Sequence, residues 1–217
     1  LIETLVISRN ILGGDLRFYY PDASGHEALY HALNALFLAW FGPGALGIRL
    51  LSAFLGTLAV PLTYALGRRL FGPTVGLTAA ALLAVSFWGL MYSRVGIRHV
   101  TTPVLALAAF WFFWRGLTDD GRSSVRPFAL SGLFLGLGFH SYFASRGAPL
   151  IPLAFLGYVA LVAPGALRRR WRGLLVMAGV TALVALPLYV AIAAQPAAEA
   201  RVGELALPLT EALAGDF

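Results

Sequence analysis

The sequence predicts an all-α, polytopic helical membrane protein with about six transmembrane helices, and three observations predict it. Of its 217 residues, 59% are hydrophobic and only 12% charged, about half the charged share of a soluble domain. The apolar residues fall in runs, and at about 1.5 Å of helix per residue most of these can cross a hydrocarbon core of roughly 30 Å. The charge collects at the ends of those runs: every basic residue apart from histidine is arginine, 16 against 10 acidic residues, for a net charge of +6.

These arginines sit at run ends rather than along one polar face, which argues against nucleic acid as a partner. The chain has no cysteine, so a disulfide framework and a thiolate metal site are both excluded. It opens on Leu1 with no basic segment, apolar run and cleavage site, and so reads as an interior piece of a longer protein.

In order, Glu3 to Leu12 reads as a short amphipathic helix that stops at Gly13-Gly14. Asp15 to Gly25 is a polar, tyrosine-bearing loop suited to the headgroup level, with Asp22 as a turn residue. Glu27 to Phe41 is apolar but short for a span, and reads as interfacial or re-entrant. Residues 1–44 therefore form an external region and residues 45–217 the membrane domain. Six spans are expected: Ala45 to Gly67, Pro73 to Ser93, Val100 to Gly116, Pro127 to Tyr142, Ala148 to Leu167 and Gly173 to Ala194. The turn Asp119-Asp120-Gly121-Arg122 and the block Arg168-Arg169-Arg170-Trp171-Arg172 fall between spans.

Arginine sets the orientation. If Arg68-Arg69 is cytoplasmic, the Arg115 to Arg126 loop and the Arg168 to Arg172 block are too, each lying two crossings on. Residues 1–44, the Arg94 to His99 turn, the His140 to Arg146 turn and the tail from Gln195 then share the external side.

Candidate chemistry gathers on that side. Arg49, Arg94, Arg98 and Arg146 lie near external span ends, where arginine is scarce. Snorkelling to lipid phosphates is the bland reading of any one of them; several together point to bidentate recognition of a phosphate or pyrophosphate headgroup. If the helix persists past Ser93, Arg94 and Arg98 share one face, where like charges repel unless an anion sits between them. His26 and His31 are five apart, not the four of a zinc-protease helix. Glu27 and His31 are four apart and could share a ligand or metal, although a glutamate at a helix start is commonly there for the dipole. His140 and Tyr142, with Arg146, close the span from Pro127 to Tyr142, and a histidine at such an interface is usually a hydrogen-bonded structural residue.

Taken in order, Gly25-His26-Glu27-Ala28-Leu29-Tyr30, Phe41-Gly42-Pro43 to Arg49-Leu50-Leu51-Ser52-Ala53, Gly67-Arg68-Arg69-Leu70-Phe71-Gly72, Ser93-Arg94 to Arg98-His99 and Gly136-Leu137-Gly138-Phe139-His140 resemble the GT-C superfamily of membrane glycosyltransferases. Within it the chain is most similar to the family 39, protein-mannosyltransferase-like group that includes aminoarabinose transferases. The resemblance implies transfer of a sugar from a polyprenyl-phosphate carrier to a lipid, glycan or protein acceptor at the extracytoplasmic face of the cell membrane. It implies that the catalytic base is an acidic residue of the first external loop, upstream of Leu1. It also implies a substrate site that takes in His26, Glu27, Arg94, Arg98, His99, His140, Tyr142 and Arg146. His99 stands near where many members carry an aspartate. No cofactor is assigned; a divalent metal is the one the resemblance brings into view, with no ligand named for it. The rival readings are a transporter or flippase for an anionic lipid, which calls for broken helices in repeated halves, and a non-catalytic subunit that binds lipid phosphate.

Overall fold

The computed structural model describes residues 2–21, 25–119 and 125–195. Asp22, the turn residues Asp120 to Arg122 and the tail beyond Gln195 lie outside them. The described chain is helical throughout apart from one two-residue antiparallel ladder, in which β1 (Tyr19–Tyr20) pairs with β2 (His26–Glu27).

Ahead of that ladder is α1 (Ile2–Leu12), which carries Glu3 in its first turn and buries Thr4, Ile7 and Ser8. After it α2 (Ala28–Phe41) packs on α1 and on α3. Asn34, fully buried, stitches all three: its side chain accepts from Ser8 Oγ at 3.3 Å and donates to Ile48 O at 3.1 Å. Gly42-Pro43-Gly44 separates α2 from α3 (Ala45–Phe71), which runs through Pro61 to Arg68 and Arg69 in its last turn.

Among the described residues four segments are long and apolar enough to cross a membrane: Ala45–Phe71, Arg98–Thr118, Phe143–Val162 and Leu167–Ala193. A fifth forms only if two bent pieces are counted together. The uncharged run from Pro73 is not one helix: α4 (Pro73–Val85) stops at Ser86 and α5 (Phe87–Val95) leaves at 55°. Ser86 makes the break by capping α5, its hydroxyl accepting from Gly89 N at 3.1 Å. The expected span from Pro127 to Tyr142 is the 15-residue helix α7 (Val125–Phe139), about 22 Å long and short of a 30 Å core. The arginine block also differs from its expected loop. α9 (Pro164–Ala193) begins at Pro164 and takes Arg168 to Arg172 into its first turns, with α8 (Leu150–Val162) ahead of it.

α6 (Thr101–Thr118), α7 and α9 form the tightest packing. Glycine allows it: a Cβ at Gly136 would lie 2.6 Å from Val184 Cβ, and one at Gly132 would strike Met177 O. Glycines spaced four apart let two membrane helices approach through their backbones. Phe128, fully buried, fills the space between Gly116 and Gly173. The chain is thus an integral, all-α polytopic membrane protein in which, among the described residues, four helices, or five with the bent pair, can span.

Candidate functional site

Glu27 is the last residue of β2 and the N-cap of α2, yet its side chain makes no capping bond. Its carboxylate instead lies between two arginines, Oε2 at 3.2 Å from Arg98 Nη1 and Oε1 at 3.4 Å from Arg146 Nη2. Glu27 is buried, its side chain 3% exposed, and the two arginines are largely so, at 12% for Arg98 and 14% for Arg146. A 3₁₀ turn at Arg98–Val100, ahead of α6, supplies Arg98, and another at Phe143–Gly147, ahead of α8, supplies Arg146. Arg98 also donates through Nη1 and Nη2 to Gly25 O, both at 3.1 Å, so it holds both ends of the Gly25 to Glu27 segment.

His26 extends the cluster toward α1. Its Nε2 lies 3.1 Å from Glu3 Oε2 and its Nδ1 3.0 Å from Nε2 of the buried His31. Burial, reinforced by His26 and Arg98, lowers the His31 pKa to about 3, so its imidazole is neutral. Beside it Tyr30 bonds Ser52 Oγ at 2.7 Å, and burial pushes the phenol up to about 12.

His140 joins three elements. Its Nε2–H donates to Val184 O of α9 at 2.7 Å, and its own carbonyl accepts from Leu29 N of α2 at 2.9 Å. Hydroxyl groups continue the network from there: Ser141 Oγ meets Ser145 Oγ at 3.1 Å, and Ser145 Oγ meets Thr102 Oγ1 at 2.7 Å.

On the other side of the cluster is an apolar cavity of about 710 Å³ between α3, the α4–α5 bend and the start of α6. A ladder of rings forms one of its walls. Trp88 stacks on Tyr92 at 6.0 Å, Tyr92 on His99 at 5.7 Å, and His99 meets Tyr142 at 4.0 Å. The Arg98 guanidinium lies 5.4 Å from the Tyr142 ring centre, so a cation–π contact links the ion cluster to the cavity wall.

The structure therefore brings together His26, Glu27, Arg98, His99, His140, Tyr142 and Arg146. Arg94 is not among them. α5 ends at Val95, and Gly96 takes a left-handed φ of 71° that glycine alone adopts freely. The helix does not persist, so Arg94 and Arg98 do not share a face, and Arg94 stays exposed at the end of α5. Glu27 stands at the N-cap, just ahead of α2, while His31 lies in the helix's first turns. Among the described residues no three His, Asp or Glu side chains group as a metal-ligand set.

Sequence reasoning missed Glu3, the His26–His31 pair, and the contributions of Trp88 and Tyr92. The two aromatic residues are four apart on α5, a pattern visible in the sequence. Glu3 gave no such signal, since only the packing of α1 on α2 brings it to His26.

Residues 26–192 match the protein family described as dolichyl-phosphate-mannose-protein mannosyltransferase. The chain is 32% identical over 192 residues to the undecaprenyl phosphate-alpha-4-amino-4-deoxy-L-arabinose arabinosyl transferase of Pseudomonas paraeruginosa, a match covering 81% of this chain and 32% of that protein. The transferase of the same description from Pseudomonas aeruginosa strain UCBPP-PA14 gives the same identity and coverage, 32%, 81% and 32%. One from Pseudomonas fluorescens strain ATCC BAA-477 is 32% identical over 176 residues, covering 79% of this chain and 29% of that protein. The chain thus spans about a third of the length of these curated relatives. No solved structure matches it.

Proposed function

This chain belongs to the dolichyl-phosphate-mannose-protein mannosyltransferase family, and from that premise we propose that it is part of a membrane glycosyltransferase that moves a sugar from a polyprenyl-phosphate carrier to an acceptor. One observation carries the reading: two largely buried arginines converge on a single carboxylate beside a large apolar cavity walled by aromatic rings. A polyprenyl phosphate has the matching form, an anionic head on a hydrocarbon tail. Its tail fits the cavity and its phosphate the arginines Arg98 and Arg146. Relatives named for an undecaprenyl phosphate-linked sugar support the same carrier class.

In the transfer, an acceptor oxygen attacks the anomeric carbon, the bond from that carbon to the phosphate oxygen breaks, and the carrier phosphate departs with the bonding pair. Arg98 and Arg146 stabilise the charge that develops on it. His26, Glu27, His140 and Tyr142 line the sugar and acceptor side. On this reading the acceptor's proton goes to a first-loop carboxylate of the family pattern. The site faces the extracytoplasmic side of the plasma membrane, since Arg69, Arg115 and the Arg168 to Arg172 block gather at the opposite helix ends.

The transporter reading gains one observation, the helix broken at Ser86. Among the described residues that break is single, whereas alternating access through repeated halves uses a pair. The test is donor binding and sugar transfer by the full-length protein in proteoliposomes. Arg94→Ala with Arg98→Ala is expected to lose more donor binding than Arg49→Ala, which lies outside the cluster. Equal losses would remove the phosphate assignment, and lipid translocation without sugar transfer would favour the transporter.

A further inference from the structure

We propose that the Glu27 carboxylate occupies the seat of the carrier phosphate and competes with it for Arg98 and Arg146. This inference rests on the carrier-phosphate reading above and adds how that seat is kept when empty and how it is released.

The first ground is the quality of the contacts. Each arginine meets the carboxylate end-on through one nitrogen, at 3.2 and 3.4 Å, longer than the roughly 2.7–2.9 Å of a good charge-assisted bond and without the paired bonds of a bidentate match. Glu27 Oε2 accepts no hydrogen bond although it is buried, because Arg98 turns both of its Nη groups toward Gly25 O. The carboxylate therefore accepts one long hydrogen bond, from Arg146 to Oε1, and is held to Arg98 by charge alone. A phosphate brings more acceptor oxygens and a larger span to the same two guanidinium groups, so it gains directed bonds that the carboxylate does not make.

The second ground is position. The turns that carry Arg98 and Arg146, with the residue ahead of the second, also line the cavity, through His99, Tyr142 and Ala144. An amphiphile whose tail enters the cavity thus brings its head to the segments that hold Glu27.

The third ground is where Glu27 goes. It stands at the N-cap of α2, and no side chain caps that helix. A displaced carboxylate can turn to the Tyr30 N–H in the first turn, the Leu29 N–H being held by His140 O, and to the positive end of the helix dipole. Its charge is then compensated in both states, and a modest rotation of one side chain connects them.

The alternative is that Glu27 is a permanent clamp, tying three segments together so that the arginines are aimed correctly. The two ideas predict opposite signs for ligand affinity. The test titrates farnesyl phosphate, a short prenyl phosphate, into the detergent-solubilised full-length protein, with inorganic phosphate and farnesol as parallel probes. Glu27→Gln is expected to bind farnesyl phosphate and inorganic phosphate roughly fivefold tighter or more, to show a larger ligand-induced rise in melting temperature than wild type, and to bind farnesol unchanged. Arg98→Gln weakens both anions. If Glu27→Gln does not fold, Glu27→Asp replaces it; its shorter side chain draws the carboxylate back from the arginines and is expected to give a smaller tightening of the same sign. Wild type that binds farnesyl phosphate beside a folded Glu27 variant that binds it no better, or beside a gain shared by farnesol, overturns the competition and leaves the carrier reading standing. Wild type and Glu27→Gln that both ignore farnesyl phosphate overturn the carrier reading itself.

Discussion

Arginine meets carboxylate at both ends of the segment that contains α6, and the two meetings are unlike. At its start Arg98 faces Glu27, which is 3% exposed and shared with Arg146. At its end Arg115 reaches Asp119, four residues on and 34% exposed, at 3.0 Å, and Arg69 joins them. Hydrogen bonding from Arg115, the largest cause, lowers the Asp119 pKa. The lower cluster can relax into water when a partner is lost, whereas the upper one cannot. Equal charge chemistry therefore carries unequal consequences, and burial decides which cluster governs the structure around it.

The largest expected effect follows directly. Removing the upper carboxylate with Glu27→Ala leaves two guanidinium groups without it and is expected to cost about 3–5 kcal/mol, read from denaturation of the purified protein in detergent. A loss no greater than that of Asp119→Ala would erase the contrast between the ends.

Next comes the packing that holds the upper cluster together. Gly136→Leu places atoms against Val184 and pushes α7 from α9, stretching the bond from His140 to Val184 O. About 1–3 kcal/mol is expected, together with weaker donor binding. Donor binding unchanged in a destabilised variant would show that the cluster does not depend on this contact.

Acidity separates the ends more gently. His31 lies outside the spans, and its folded pKa of about 3 is below the unfolded value of about 6.5. Between these values the unfolded chain binds the extra proton, so stability falls as pH drops through that window. A melting curve followed from pH 7 to pH 4 is expected to decline in wild type and to flatten in His31→Asn. Asp119 works in a lower window: its depressed pKa contributes stability above the unfolded value near 3.9, lost as pH falls through the folded one.

The smallest effect belongs to the lower cluster. Asp119→Asn is expected to change stability by less than about 1 kcal/mol, as exposed pairs do, and to leave donor binding intact. A larger effect on binding would mean that the two ends are coupled.

Much of this was legible in the chain because the bilayer imposes strong rules. Uncharged runs and arginine-rich ends marked where the apolar helices lie but not how many of them are long enough to span, and the ordered motifs pointed to most of the residues that the structure gathers around Glu27. Other features had no local trace. Glu27 and Arg146 are 119 residues apart, and pairing rules read from spacing reach only one helical turn. The break at Ser86 was hidden because a serine that caps one helix and ends another carries no charge to interrupt an apolar run. Expecting Arg94 and Arg98 on one face gave periodicity too much weight against Gly96, whose left-handed backbone ends the helix between them.

The bend at Ser86 has a kinetic consequence. It leaves Trp88 63% exposed on the cavity wall and Phe87 beside it 70% exposed, which on the proposed carrier reading makes a doorway onto the bilayer. A carrier using that doorway diffuses in two dimensions and never leaves the lipid phase. Its effective concentration is then a mole fraction in the bilayer rather than a molarity, and transfer at constant total substrate should slow in proportion as inert lipid is added.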